Sequence, residues 1–270
     1  MEKPKRPARA AIEIQSAENL DMAAEFTKAY VLGNYGTGKS VFGSTFPTPG
    51  YVFDFDQGIK IYRGKQWDYN TIPLTWKGWT EFEQIVRQVK KKVEDGTYKS
   101  VIVDSTTAMT DCAMGRALQI DPKRSAEGGP IWNVHYMIVR NLMEPKLREI
   151  LSWPCNVLFT GHWNIVMDPE TGNIISIDPL LTGQMSAKVP GYFDEVYAAF
   201  TGKKAGKEMY YLRTSAWGHY RSRSRTSGPL RLLPDKIDND YPTLITHIKE
   251  AQRKEKELKE QAKAQATETN

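Results

Sequence analysis

The chain has 270 residues, a hydrophobic fraction of 40% and a formal net charge of +5. That length suits one large α/β domain with additions, or at most two domains. No apolar run approaches the roughly 20 residues of a membrane-spanning helix, and the basic first residues are not followed by the apolar core of a signal peptide. Cys112 and Cys155 lack metal-ligand spacing, which favours free thiols in a reducing cytosol. We therefore expect a cytoplasmic protein without a membrane partner.

The positive charge is concentrated near the C-terminus. Residues 201–270 contain 15 Lys/Arg and 9 Asp/Glu, a net charge of +6, whereas the first 200 residues have a net charge of −1. An excess of this kind indicates a polyanionic partner, although a solvated charged surface gives the same composition. We predict a basic arm over 1–25, one nucleotide-binding domain over 26–246 and a charged helical tail over 247–270.

Apolar runs and turn signals predict strands alternating with helices, which is typical of a mostly parallel sheet covered on both faces. The predicted strands, in chain order, are Ala11–Gln15, Lys28–Leu32, Tyr51–Asp56, Thr71–Leu74, Ser100–Val103, Asn156–Thr160, Ile165–Met167, Ile174–Ile177, Phe193–Phe200 and Met209–Thr214. The predicted helices are a short one after Ser40, Trp79–Val93, Met109–Ile120, Ile131–Leu151 and one that begins after Tyr241. Beyond Lys249 that last helix becomes charged, which predicts fraying or solvation.

A phosphate-binding loop directly follows the apolar strand Lys28–Leu32. It fits the pattern of glycine, four free positions, glycine, lysine and serine, with the residues Gly33, Asn34, Tyr35, Gly36, Thr37, Gly38, Lys39 and Ser40. The glycines let the backbone N–H groups wrap a phosphate. Lys39 is predicted to reach the terminal phosphates of ATP, and the Ser40 hydroxyl to hold Mg²⁺.

An acidic residue is also expected close to the magnesium ion in such a site. The apolar strand Ser100–Val103 delivers Asp104 to the carboxyl edge of the sheet, where ligands of parallel sheets bind. Many mechanical ATPases place a glutamate after this aspartate to polarise the attacking water, but here the next residue is Ser105. The catalytic base must then come from elsewhere.

Two further polar residues follow strands that end at the same edge. Asp56 ends the second predicted core strand and is the best candidate to orient water in line with the γ-phosphate. Asp54, two residues earlier, is interpreted as structural. His162 follows the strand Asn156–Thr160 and is a candidate sensor of the γ-phosphate, although a lone histidine is as often structural.

Together these motifs resemble the RecA-type ATPase core, and within it the short phage-encoded RecA-like ATPases of the Sak single-strand annealing group. The resemblance covers roughly residues 26–246 and includes the segments Thr160–His162, Leu181–Gly183 and Val189–Val196. It implies a RecA-like α/β fold with late antiparallel strands, in which Asp56 occupies the catalytic acid position and His162 the sensor position. Recombinases usually carry glutamate where this chain has Asp56, and a carboxylate one methylene shorter is not expected to support fast turnover.

The basic segment from Arg213 to Arg225 is the candidate DNA site. Arginines pair with phosphates while aromatic rings stack on bases, a combination used to bind single strands. Alternatively, Arg221, Arg223 or Arg225 enters the ATP site of a neighbouring subunit as an arginine finger, or the segment is merely a solvated loop. The candidate residues are Arg213, Trp217, Tyr220, Arg221, Arg223 and Arg225.

The leading hypothesis is a magnesium-dependent, RecA-like ATPase that assembles on single-stranded DNA and promotes annealing or recombination. The resemblance implies a homo-oligomer, ring or filament, that works in the bacterial host cytoplasm, with a single-strand DNA-binding protein as a further candidate partner. Two alternatives stay open from the residues alone. One is a small-molecule or nucleoside kinase, and the other is a nucleotide-gated assembly scaffold with little turnover.

Overall fold

The computed structural model describes residues 26–227 and 230–268. The predicted basic arm over 1–25, with its strand Ala11–Gln15, lies outside the described residues. Among the helices in these two ranges, none has the length and apolar character needed to cross a membrane.

The described part of the chain alternates strands and helices, as predicted. The strands are β1 (Lys28–Leu32), β2 (Gly50–Asp54), β3 (Trp67–Thr71), β4 (Ser100–Asp104), β5 (Asn156–Gly161), β6 (Trp163–Met167), β7 (Ile174–Pro179), β8 (Glu195–Lys204), β9 (Lys207–Arg213), β10 (Arg223–Ser224) and β11 (Lys236–Asp238). The α-helices are α1 (Lys39–Gly43), α2 (Trp76–Glu94), α3 (Thr106–Ile120), α4 (Trp132–Leu151), α5 (Met185–Lys188) and α6 (Tyr241–Glu268). Short 3-10 helices cover Ile59–Tyr62 and Val189–Tyr192.

Most of the strands form one sheet in the order β11-β9-β8-β1-β5-β4-β2-β3. All neighbours from β8 to β3 run parallel, whereas β9 and β10 pair antiparallel with β8, and β11 pairs antiparallel with β9. Strands β6 and β7 form a separate antiparallel hairpin. The predicted α/β class, with a mostly parallel central sheet and late antiparallel strands, is confirmed.

The alternation of side chains along the central strands builds a core on each face of the sheet. In β4, Val101 and Val103 join the core that contains α2, α3 and α4. Ile102 points the other way and packs in the core that contains Phe42 of α1 and Leu244 of α6. Both faces of the central strands are covered, which explains why their sequences are apolar throughout.

Three predicted elements need correction. The strand predicted over Thr71–Leu74 is instead β3, which ends at Thr71. Only its first residue is buried, since β3 is the edge strand and its other side chains are polar or exposed. The predicted strand Tyr51–Asp56 ends at Asp54. Helix α6 continues to Glu268, and Ala251 and Glu255 within the predicted tail are buried.

The topology brings the carboxyl ends of four parallel strands together. The register pairs Leu32 of β1 with Gly161 of β5, and Asp54 of β2 with Asp104 of β4. The phosphate-binding loop leaves the end of β1, so the loop, both aspartates and the residue after Gly161 share one edge of the sheet.

Candidate functional site

The loop between β1 and α1 has the backbone that its glycines predict. Gly36 and Gly38 have φ angles of +74° and +84°, a region that favours glycine. A Cβ on Gly33 would lie 2.4 Å from the Thr37 hydroxyl oxygen and 3.0 Å from the Ala199 carbonyl oxygen. Glycine at these positions therefore allows both the turn and the close packing of the loop on β8.

Lys39 begins α1 and its side chain turns back over the loop. Its Nζ donates hydrogen bonds to the carbonyl oxygens of Gly33, at 3.0 Å, and Asn34, at 2.9 Å. Burial lowers the pKa of the Lys39 ammonium, and the negative charges of Asp104 and Asp56 oppose that shift. A desolvated ammonium held among loop carbonyls is suited to bind a phosphate oxygen.

Asp104 ends β4 and is almost fully buried. Its Oδ2 accepts a hydrogen bond from the Ser40 hydroxyl at 2.6 Å, and its Oδ1 accepts one from the Thr160 hydroxyl. Burial raises the pKa of the Asp104 carboxyl, whereas the hydrogen bonds from Ser40 and Thr160 oppose that rise. Thr160 was not among the predicted site residues, because only the fold shows that the ends of β4 and β5 are close enough for this contact.

These two oxygen ligands fit the requirements of Mg²⁺. The ion prefers hard oxygen ligands and is commonly held by one or two protein groups, substrate phosphates and water. The Ser40 hydroxyl and the Asp104 carboxylate supply such oxygens beside the phosphate-binding loop. No cluster of three or more His, Cys, Asp or Glu side chains able to hold a metal occurs in the described ranges. The Ser40 and Asp104 oxygens suit an ion that arrives with a nucleotide, because two protein groups leave the other ligand positions to phosphates and water.

Asp56 and His162 lie close together at the same sheet edge. Asp56 Oδ1 accepts a hydrogen bond from the Ser105 hydroxyl at 3.0 Å, and Asp56 Oδ2 lies 3.7 Å from His162 Nε2. The two side chains are 29% and 30% exposed, so both can reach a bound ligand. Ser105, which replaces the glutamate of many mechanical ATPases, thus holds the carboxylate that could take over its role.

Asp54 has different surroundings. Its Oδ1 accepts a hydrogen bond from the Gly58 N–H at 2.7 Å, and its Oδ2 accepts one from the Thr71 hydroxyl at 2.8 Å. The side chain is buried and fixes the chain that leaves β2. This geometry agrees with the structural role predicted for Asp54.

Two residues beside the loop escaped the sequence analysis because they come from distant parts of the chain. A Cβ on Gly38 would lie 2.6 Å from the ring of Tyr210 in β9. The side chain of Asn239, which precedes α6, donates a hydrogen bond to the Gly38 carbonyl oxygen at 2.8 Å. Neither contact has a signature in the local sequence, since each depends on the packing of the late strands against α1.

The basic segment predicted to bind DNA runs from Arg213, the last residue of β9, to Arg225, the residue after β10. The Arg213 guanidinium lies over the Trp217 ring, 4.7 Å from its centre, and the rings of Trp217 and Tyr220 are stacked. Tyr220 also packs against Trp163 of β6, with 5.2 Å between ring centres. The two predicted aromatic residues therefore contact each other, and Tyr220 also contacts the strand that begins directly after His162.

The remaining arginines of the segment differ in their surroundings. Arg223 donates to the carbonyl oxygens of Pro190 and Phe193, and Arg225 donates to the Gly191 carbonyl oxygen and pairs with the Asp194 carboxylate at 3.4 Å. Arg221 is exposed and forms no hydrogen bond or ion pair with a residue in the described ranges.

Comparison with known proteins gives the family. Residues 25–226 match the family described as AAA domain. Among solved structures, the fold resembles a KaiC-like protein from the hyperthermophilic archaeon Pyrococcus horikoshii OT3 at 12% identity, a coverage of 74% of this chain and 83% of that chain, and a TM-score of 0.41. No curated protein matches the sequence. The family match spans most of the chain and includes the phosphate-binding loop, Asp56, Asp104 and His162. The chain therefore belongs to the AAA domain family and is a P-loop ATPase.

Proposed function

We propose that this P-loop ATPase is a magnesium-dependent, RecA-like enzyme that hydrolyses ATP while bound to single-stranded DNA and promotes annealing or recombination as a homo-oligomer. One observation supports the proposed coupling between ATP hydrolysis and DNA binding. Trp163, the residue after His162, packs against Tyr220 of the basic segment. A γ-phosphate sensor and a candidate DNA-binding segment are thereby in contact through two rings.

The catalytic step follows from the site. The loop N–H groups and the Lys39 ammonium bind the phosphates of ATP. Mg²⁺, held through Ser40 and Asp104, would neutralise phosphate charge when bound. Asp56 orients a water molecule and accepts its proton as the water oxygen bonds to the γ-phosphorus and the bond to the ADP oxygen breaks. Ser105 fixes one oxygen of Asp56, so the other is available for the water.

His162 acts as the sensor of the γ-phosphate, and its contacts support this proposed role. Its backbone N–H donates to the Thr107 hydroxyl at 3.1 Å, which anchors the start of the β6–β7 hairpin to α3. Its ring stays partly exposed beside Asp56. Loss of the γ-phosphate would change the contacts of that ring, and β6 would pass the change to Tyr220.

The test is steady-state ATP hydrolysis with and without single-stranded DNA. We compare the wild type with the blank Lys39→Ala, with Asp56→Asn and with the control Glu170→Gln, an exposed carboxylate in the β6–β7 turn. We expect stimulation by DNA, a loss of about 10²- to 10⁴-fold in kcat for Asp56→Asn, as for removal of a general base, and normal activity for Glu170→Gln.

The contrary outcomes separate the alternatives. Turnover that DNA does not change, together with phosphoryl transfer to a small acceptor, would replace this proposal with a kinase. Turnover no higher than that of Lys39→Ala, with oligomers that still require ATP, would replace it with a nucleotide-gated scaffold.

A further inference from the structure

A cavity beside the start of β10 has an unusual concentration of positive charge. Four arginines line it, and the other lining residues in the described ranges are five Ser or Thr residues, one Ala and one Leu, with no acid among them. The four arginines are Arg221, Arg223, Arg225 and Arg231. Guanidinium and hydroxyl groups are the hydrogen-bond donors that bind phosphate oxygens. Arg231 was not among the residues predicted from sequence, because it follows the basic segment at a distance.

The four arginines divide into two pairs. The guanidinium groups of Arg223 and Arg225 are already bound to backbone carbonyl oxygens of residues 190–193, and Arg225 also pairs with Asp194. By contrast, Arg221 and Arg231 are exposed and make no hydrogen bond or ion pair with any residue of 26–227 or 230–268. The first pair can shape the cavity, and the second pair is available to a ligand.

The charges near the cavity are poorly balanced. Burial lowers the pKa of Arg223, and repulsion from the Arg225 cation lowers it further. Of the nearby acids, Asp194 is engaged by Arg225, Asp235 accepts a hydrogen bond from the hydroxyl of a lining serine at 2.5 Å, and Glu195 is fully buried behind the cavity with its pKa raised by that burial. An anion in the cavity would relieve the repulsion between the arginines.

The backbone at Arg231 provides a second observation. Its φ angle is +51°, in the left-handed region that non-glycine residues seldom adopt. Such conformations persist where the surroundings impose them and are concentrated at ligand sites. Here the conformation holds, at the wall of a cationic cavity, an arginine that has no hydrogen-bond or ion-pair partner in the described part of the chain.

We propose that this cavity binds one phosphate group of a single-stranded DNA backbone, with Arg221 and Arg231 as its contacts and Arg223 and Arg225 as positioning residues. The choice of DNA rests on the proposed function, because a free phosphate has the same chemistry. An exposed ring favours the strand: Trp217 follows the lining residue Ala216 and is 52% exposed, so a base could contact it while its phosphate occupies the cavity.

The experiment measures binding of a fluorescent oligothymidylate by anisotropy over a range of salt concentrations. The variants are Arg221→Ala/Arg231→Ala and the control Arg87→Ala, which removes an exposed arginine from α2. We expect the double variant to bind at least about 10-fold more weakly. The negative slope of log K against log salt should also become less steep by about 0.7, the value for one phosphate contact on a single strand. Thermal unfolding should be unchanged, because both side chains are exposed and neither makes a hydrogen bond or ion pair with a described residue.

The outcomes distinguish this proposal from the function on which it rests. If the wild type binds the oligonucleotide and the double variant binds it as tightly as Arg87→Ala, the cavity is not a phosphate site and the proposal fails. If the wild type binds no oligonucleotide, the proposed function fails, and calorimetry with inorganic pyrophosphate in a Lys39→Ala background, which disables the phosphate-binding loop, decides whether the cavity binds phosphate. Pyrophosphate binding lost only in the double variant supports a phosphate site for a free ligand, and equal binding by both variants overturns it.

Discussion

The hydroxyl of Ser40 donates to Oδ2 of Asp104 at 2.6 Å, which joins the first turn of α1 to the end of β4. The two residues are 64 positions apart in the chain, yet they form a single group of oxygen ligands beside the phosphate-binding loop. This contact agrees with the family assignment, because a hydroxyl and a carboxylate in contact are suited to hold the Mg²⁺ that accompanies ATP, together with its water.

The first prediction concerns that pair. Asp104→Asn keeps the shape of the side chain but removes the negative charge that we propose holds magnesium and its water. We expect the affinity for ATP with Mg²⁺ to fall about 10- to 100-fold, as for other residues that support a metal. Affinity for ATP in the presence of a chelator should change little. Both affinities can be measured by titration of a fluorescent ATP analogue.

The control for Asp104→Asn is Asp54→Asn. Asp54 is also buried at the end of a strand and lies opposite Asp104 in the register, but its oxygens are bound to Gly58 and Thr71 instead of Ser40. Both variants should lose stability. Equal loss of magnesium-dependent affinity in the two variants would contradict the assignment of Asp104.

The second prediction tests the packing of β9 on the phosphate-binding loop. Gly38→Ala places a Cβ 2.6 Å from the Tyr210 ring and 2.9 Å from the Asn239 side chain, at a φ of +84°. The loop must then shift, and we expect ATP to bind at least about 10-fold more weakly, a change of roughly 1.4 kcal/mol. Gly172→Ala is the matched control, because it has a φ of +68° and open space around it. If both variants bind ATP like the wild type, Tyr210 does not constrain the loop.

The third prediction is a pH dependence of stability that comes from Glu195. Its carboxylate is fully buried and accepts hydrogen bonds from Tyr197 and Thr226. Burial raises the pKa of Glu195 above its ordinary value of 4.5. Between the unfolded and folded pKa values the folded chain therefore binds more protons than the unfolded chain, and the free energy of unfolding decreases as pH rises through this window.

Glu195→Gln removes this titration and keeps most of the polar contacts. Urea unfolding at several pH values above 4.5 should show that the variant gains stability relative to the wild type as pH rises, and that the difference levels off above the folded pKa. A difference that is constant with pH would contradict a raised pKa for Glu195.

The fourth prediction concerns the two cysteines, which are free and buried. Burial raises the pKa of the Cys112 thiol to about 12 and that of Cys155 to about 11. The thiolate is the reactive form, so we expect both thiols to resist a thiol reagent at pH 8 in the native protein. Two thiols should react once a denaturant is added. Rapid labelling of the native chain would show that one of them is accessible.

The sequence patterns located the central strands and the phosphate-binding loop well, for a physical reason. Strands β1, β4 and β5 are buried on both faces, so each is a short apolar run bounded by turns, and its end is visible as the first polar residue. That rule placed Asp104 directly after its apolar run, and it placed His162 just beyond the polar end of β5. It failed at β3, whose exposed edge position lets Asp68, Tyr69 and Asn70 stand where a buried strand would be apolar.

Other parts of the site could not be predicted from local patterns. Thr160, Tyr210 and Asn239 reach the site only because the sheet places β5 between β1 and β4 and folds β9 and the start of α6 back on α1. Similarly, the sequence showed a run of arginines but not which of them are bound to backbone carbonyl oxygens. These facts depend on contacts between residues far apart in the chain, which periodicity does not encode.

Strand β9 connects the phosphate-binding loop to the basic segment. Tyr210 rests on the phosphate-binding loop, and Arg213, three residues later, begins the segment that leads to the cationic cavity. Three residues of strand span about 10 Å, and β9 cannot stretch or bend freely because β8 and β11 are hydrogen-bonded to its two edges. We therefore expect a displacement of Tyr210 to move Arg213 by a similar distance.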